Sequence, residues 1–84
     1  MLAVVLLAVP NLSEGRSDAV IERVAVEFKA SEQDRLDGLT VDCGPWWFNL
    51  RPSNTEPLLR LNLEAMTPEL MEKKRDEVLG VIRA

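Results

Sequence analysis

Two stretches of alternating apolar residues flank one short polar loop, and this arrangement limits most strongly what the chain can fold into. Apolar side chains occupy every second position from Trp46 to Leu50 and again from Leu59 to Ala65. A period of two is typical of strands that bury one face. The pattern therefore predicts two neighbouring strands joined by the loop at 52–57, which a proline bounds at each end.

The apolar run at residues 2–9 predicts a strand buried on both faces, because it is rich in Val and Leu. No basic residue precedes it and no small-residue cleavage site follows it, so it does not fit a secretory signal. It is also far shorter than the roughly 20 residues that span a bilayer. Pro10 is expected to end this strand.

Helical spacing of apolar residues predicts two helices. Ser17 or Asp18 can cap the first, and Thr67 and Pro68 begin the second, which runs from about 68 to 83. The predicted apolar face of the first helix consists of Val20, Ile21, Val24, Ala25 and Phe28. The predicted face of the second consists of Leu70, Met71, Val78, Leu79 and Ile82.

Two turn signals complete the order of elements. Asp37-Gly38 and Gly44-Pro45 bracket a half-buried strand at 39–43, and a further short strand is expected at 33–37. The order is then β-α-β(4)-α. We expect the α+β class, with two helices on one face of an antiparallel sheet, and one domain over residues 1–84.

Composition excludes several classes of function. The chain has a net charge of −4, one cysteine and no histidine. The acidic balance argues against nucleic acid and anionic membranes as partners. Serine or cysteine nucleophiles that rely on histidine are impossible, and so is a cysteine-based zinc site. Asp34, Asp37 and Asp42 are scattered in turns and do not indicate a metal site. We expect no metal, no cofactor and no catalytic residue.

The loop that follows Arg51 carries the candidate chemistry. It places a guanidinium beside the hydroxyls of Ser53 and Thr55, the amide of Asn54 and several backbone N–H groups. Such donors can surround an anion, and Arg supplies a fixed charge with a fork of N–H groups. The same residue types also make an ordinary turn, and taken alone they favour the turn.

Residues 37–65, and above all the Arg-x-Ser-Asn-Thr-x-Pro core, resemble the C-terminal domain of phosphohexomutases of the phosphomannomutase/phosphoglucomutase type. The similarity runs from about Val20 to Ala84. It implies a TATA-binding-protein-like fold, a cytoplasmic parent protein, and a loop that grips the phosphate of a sugar phosphate through Arg51, Ser53, Asn54 and Thr55. The family's phosphoserine, magnesium and sugar-selecting loops lie in its other domains, and nothing in this chain matches them. The resemblance therefore implies no mutase activity for this chain alone.

The opening segment at residues 1–19 departs from that resemblance. Val-Pro-Asn-x-Ser-Glu-Gly-Arg at 9–16 is similar to the start of glutamate formiminotransferase. Two resemblances that meet near residue 20 suggest an engineered chimera, in which residues 20–84 derive from the mutase domain. A natural truncated mutase fragment is the alternative, and the location of an engineered chain is unknown.

These expectations leave two main functions open. One is a stand-alone engineered domain without catalytic activity, and the other is a phosphate-binding domain with weak residual affinity for hexose phosphates. Trp47 is expected on the opposite face of its strand from Trp46. There it can meet a neighbouring domain, drive homodimerisation or remain a partly covered surface residue of a monomer.

Overall fold

The elements follow the predicted order β-α-β(4)-α. The structure is a computed structural model that describes residues 3–10, 17–53 and 58–83. Its elements are β1 (Ala3–Pro10), α1 (Ser17–Glu27), β2 (Glu32–Asp34), β3 (Leu39–Asp42), β4 (Trp46–Pro52), β5 (Leu58–Ala65) and α2 (Pro68–Arg83). The described residues contain no helix that is long and apolar enough to cross a membrane.

The five strands form one antiparallel sheet in the order β1-β5-β4-β3-β2. Strand β1 pairs with β5 along its whole length, from Ala3 opposite Ala65 to Pro10 opposite Leu58. Both helices pack against one face of the sheet and against each other. The architecture is therefore the predicted α+β arrangement, consistent with the TATA-binding-protein-like fold.

Two strand predictions are corrected. Strand β1 is not buried on both faces: both helices cover the same face of the sheet, and Val4, on the opposite face, is 50% exposed. The short second strand covers Glu32–Asp34 rather than 33–37. It ends early because the chain turns back there, with the Asp34 carboxylate accepting a hydrogen bond from the N–H of Leu36 at 2.7 Å.

The core lies between the sheet and the helices, on the face that the alternation predicted. Strands β3, β4 and β5 bury every second residue, and the outward positions are half-buried or exposed. Phe48 is fully buried at the centre and contacts the rings of Phe28 and Trp46, with centroid distances of 5.2 and 5.6 Å. Four of the five residues predicted for the α1 face are buried, and Phe28 is half-buried against this cluster.

All five residues predicted for the apolar face of α2 belong to the core or pack against it. Val78 and Ile82 are buried, whereas Leu70, Met71 and Leu79 are half-buried. The helix begins as expected, since the Thr67 hydroxyl accepts a hydrogen bond from the N–H of Leu70 at 3.1 Å. Lys74 interrupts the apolar face because its ammonium lies 5.2 Å from the centre of the Trp46 ring, where a cation is attracted to the π face.

Candidate anion-binding site

The candidate site lies where β4 ends and β5 begins. The N–H of Ser53 donates to the carbonyl of Leu58 at 2.9 Å, which joins the two sides of the hairpin. Arg51 occupies the second-last position of β4. The structure thus places two of the four predicted site residues at the same end of the sheet, while Asn54 and Thr55 lie outside the described residues.

The side chain of Arg51 lies on the sheet face opposite the core, and 48% of it is exposed. Its Nη1 donates to Oδ2 of Asp37 at 2.9 Å. The Asp37 side chain is 73% exposed, so this ion pair is solvated and contributes little to stability. The contact places the guanidinium next to the turn that carries Asp37.

The turn that carries Asp37 is held against β4 by two further features. Nδ2 of Asn49 donates to the backbone carbonyl of Asp37 at 2.8 Å and to the Thr40 hydroxyl at 3.0 Å. Gly38 adopts a φ of +71° and lies so close to β4 that an added Cβ would be 2.6 Å from both the Arg51 Cβ and the Leu50 carbonyl oxygen. The turn therefore depends on a glycine at this position.

A second arginine lies opposite the first, and the sequence reasoning missed it. In the pairing of β4 with β5, Arg51 is directly across from Arg60, which is exposed and whose side chain makes no bond to the described residues. Equal charges opposite each other across strands are unfavourable. The sequence held only part of the signal: the period of two puts both arginines on the outward face, but a hairpin centred on the loop at 52–57 would pair residue 51 with residue 58. The observed register is what sets residue 60 opposite residue 51.

On the helix side of the same sheet end, a cavity of about 280 Å³ is lined by Asp18, Ile21, Glu22, Arg35, Gly38 and Pro52. Arg35 forms a two-point ion pair with Glu22, with N–O distances of 2.7 and 3.0 Å. The hydrogen bonds that Glu22 accepts from Arg35, together with the positive charge of Arg35, lower the pKa of Glu22 below its ordinary value of 4.5. This pair ties the turn to α1, as the Asp37–Arg51 pair ties it to β4.

These features define an α+β domain that carries two arginines at one hairpin. Residues 8–81 match the family described as phosphoglucomutase/phosphomannomutase, C-terminal domain. The chain belongs to this family.

Known relatives agree with the family assignment. The chain is 48% identical over 63 residues to a phosphomannomutase of Methanocaldococcus jannaschii, covering 75% of the chain and 14% of that protein. It is 40% identical over 76 residues to a protein named phosphohexose mutases from Xanthomonas campestris, covering 87% of the chain and 17% of the relative. It is 32% identical over 75 residues to a probable phosphoglucosamine mutase of Pyrococcus furiosus, covering 88% of the chain and 17% of the relative. The chain thus spans about one-sixth of the length of such relatives.

The comparisons also bear on the opening segment. The family match begins at residue 8, ahead of the expected join near residue 20, and so includes part of the segment at 1–19. In the structure β1 pairs without interruption beside β5, as one strand of the same sheet. These findings give no support to a formiminotransferase origin of the first 19 residues or to an engineered join.

Proposed function

We propose that this chain is the phosphate-binding domain of a phosphohexomutase and holds the phosphate group of a sugar phosphate at the hairpin between β4 and β5. Arg51, Ser53, Asn54 and Thr55 supply the loop donors, and Arg60 supplies a second positive charge. The observation that carries the proposal is the register that sets Arg51 directly opposite Arg60 beside this loop.

Charge explains why an anion suits this place. Two guanidinium groups on opposed positions repel each other, and a phosphate dianion between or beside them removes that repulsion. Arg51 uses only Nη1 in its bond to Asp37, so its Nε and Nη2 make no bond to the described residues. These two atoms form an edge that matches two phosphate oxygens.

The proposal includes an absence of catalysis by this chain alone. Phosphoryl transfer requires a positioned phosphoryl group and, in general, a metal ion. The chain spans about one-sixth of the length of the relatives that are named as mutases. We therefore expect phosphate binding without turnover.

The test is a titration of the ¹⁵N-labelled chain with inorganic phosphate, mannose 1-phosphate and, as a neutral control, mannose. We expect the amides of 53–55 to shift with the two phosphates and not with mannose. Arg51→Ala and Arg60→Ala should each weaken the response. The matched control is Lys73→Ala, which removes one exposed cation from the first half of α2, away from the hairpin.

Two results would contradict the proposal. One is an unchanged set of loop amides at millimolar phosphate, and the other is an equal loss of response in Lys73→Ala and in the arginine variants. A coupled assay of glucose 1-phosphate conversion tests the second part, because measurable turnover by the purified chain would show that it needs no further domain.

A further inference from the structure

We propose that Asp37 is a positioning residue for phosphate binding: it holds the Arg51 guanidinium beside the hairpin with one edge left open to the ligand. This inference rests on the proposed function. Asp37 is not itself a phosphate ligand, since its carboxylate would repel the anion. Its contribution is made before the ligand arrives, by restricting the side chain that does bind.

The turn that presents Asp37 is itself fixed. Asn49 holds its backbone carbonyl at 2.8 Å, and Gly38 lies in contact with the backbone of β4. On its other side, Arg35 joins the turn to Glu22 of α1 at two points. A carboxylate on such a turn has a defined position relative to β4, so an ion pair with it restrains the arginine rather than moving with it.

The atoms involved leave the guanidinium competent to bind. A guanidinium has five N–H donors arranged in a rigid plane. Asp37 engages Nη1 alone, and the edge formed by Nε and Nη2 has no bond to the described residues. A phosphate can therefore take two hydrogen bonds from Arg51 while the bond to Asp37 persists.

The ion pair also accounts for the coexistence of two like charges. Arg51 lies across from Arg60 in the sheet, and Asp37 lies on the far side of Arg51, next to β3. The carboxylate draws the Arg51 side chain towards β3 and offsets part of the repulsion between the two arginines. Without Asp37, the unliganded Arg51 side chain is expected to leave the sheet and sample many rotamers.

An opposite role for Asp37 makes a different prediction. If Asp37 competes with phosphate for Arg51, its removal frees the arginine and tightens binding. If it positions Arg51, its removal weakens binding, because the ligand must then order a mobile side chain. The asparagine variant separates the two, since Asn keeps an oxygen that can accept from Nη1 but carries no charge.

The experiment compares Asp37→Ala and Asp37→Asn with the unsubstituted chain and with Glu32→Gln. The last variant removes one exposed negative charge from β2, where the side chain of Glu32 makes no bond to the described residues. The first readout is the NMR order parameter of the Arg51 Nε–H bond without phosphate. The second is the dissociation constant for inorganic phosphate, and urea unfolding of each variant monitors stability.

We expect Asp37→Ala to lower the Arg51 order parameter and to weaken phosphate binding by roughly two- to tenfold, the scale of ordering one long side chain. Asp37→Asn should fall between Asp37→Ala and the unsubstituted chain, and Glu32→Gln should leave the Arg51 order parameter unchanged. A purely structural role would change the urea midpoint without this order of affinities.

The outcomes distinguish this inference from the proposed function. A failure of the unsubstituted chain to respond to phosphate overturns the proposed function. An Arg51 side chain that stays ordered in Asp37→Ala overturns the positioning role whatever phosphate does. Tighter phosphate binding in both Asp37 variants overturns it as well and shows competition instead.

Discussion

Gly38→Ala should destabilise the fold far more than the same substitution at either of two other glycines. Gly38 has a φ of +71°, where an alanine is disfavoured by about 1–2 kcal/mol. Its new Cβ would also lie 2.6 Å from the Arg51 Cβ and the Leu50 carbonyl oxygen, and these atoms belong to the central part of the sheet. Moving them adds a strain of about 1–3 kcal/mol.

The sum, about 2–5 kcal/mol, is large for this protein. A chain of 84 residues is expected to unfold with a free energy of roughly 4–13 kcal/mol. Gly44→Ala is the matched control for backbone conformation, because Gly44 has a φ of +88° but nothing lies within 4 Å of its added Cβ. Gly44→Ala should lower the free energy of unfolding only by the cost of placing alanine at a positive φ, about 1–2 kcal/mol.

Gly80→Ala is the control for the substitution itself. Gly80 lies in α2, is exposed, and has open space around its added Cβ. Alanine is favoured over glycine there by about 1 kcal/mol, so this variant should be more stable than the unsubstituted chain. The three variants share the same substitution of glycine by alanine. The change in the free energy of unfolding is expected to differ among them in both sign and size.

Urea unfolding followed by tryptophan fluorescence measures all three. At constant m-value, the midpoint should fall most for Gly38→Ala, less for Gly44→Ala, and rise for Gly80→Ala. A Gly38→Ala midpoint equal to that of Gly44→Ala would refute the close approach of the turn to β4. The close approach of the turn to β4 also fixes the position of Asp37. The same result would therefore count against the positioning of Arg51 by Asp37.

Three other substitutions test the core, the helix cap and the ion pair. Phe48→Ala should lower the free energy of unfolding by about 3–5 kcal/mol, because Phe48 is fully buried among aromatic rings; a loss below 1 kcal/mol in urea would contradict that burial. Thr67→Ala should cost about 1 kcal/mol through the lost N-cap of α2, with Thr67→Ser as the control that keeps the hydroxyl. Glu22→Gln should be less stable than the unsubstituted chain near neutral pH. Arg35 lowers the folded-state pKa of Glu22, so this stabilisation is present above the unfolded value of 4.5 and is lost as the pH falls below it. Urea midpoints at about pH 6 and about pH 3 should therefore differ between the two proteins only at the higher pH, and a constant difference would contradict the ion pair.

The strands around the candidate site could be predicted because their pattern is local. A period of two from Trp46 to Leu50 and from Leu59 to Ala65 leaves one consistent choice of buried face. The turn glycines and the cap of α2 were predictable for the same reason, as each depends on a few neighbouring residues. The candidate anion-binding loop was identified through its resemblance to a known family, because its donors taken alone favour an ordinary turn.

The misjudged features depend on contacts between distant segments. The run at 2–9 was expected to be buried on both faces, but burial of the second face requires another layer over the sheet there, and no local pattern shows this. The place of Lys74 in the apolar face of α2 likewise depends on a distant segment, because its ammonium lies over the Trp46 ring of β4.

The sequence by itself determined the class of fold, the order of elements and the loop that carries the candidate chemistry. These follow from periodicity and turn residues, which act over a few positions. Only the tertiary structure decided that Arg60 lies opposite Arg51 and that Asp37 holds the same arginine from the other side. Residues 37, 51 and 60 come from three different segments. Their meeting is set by strand register and by the close approach of one glycine turn, which arise when the sheet assembles.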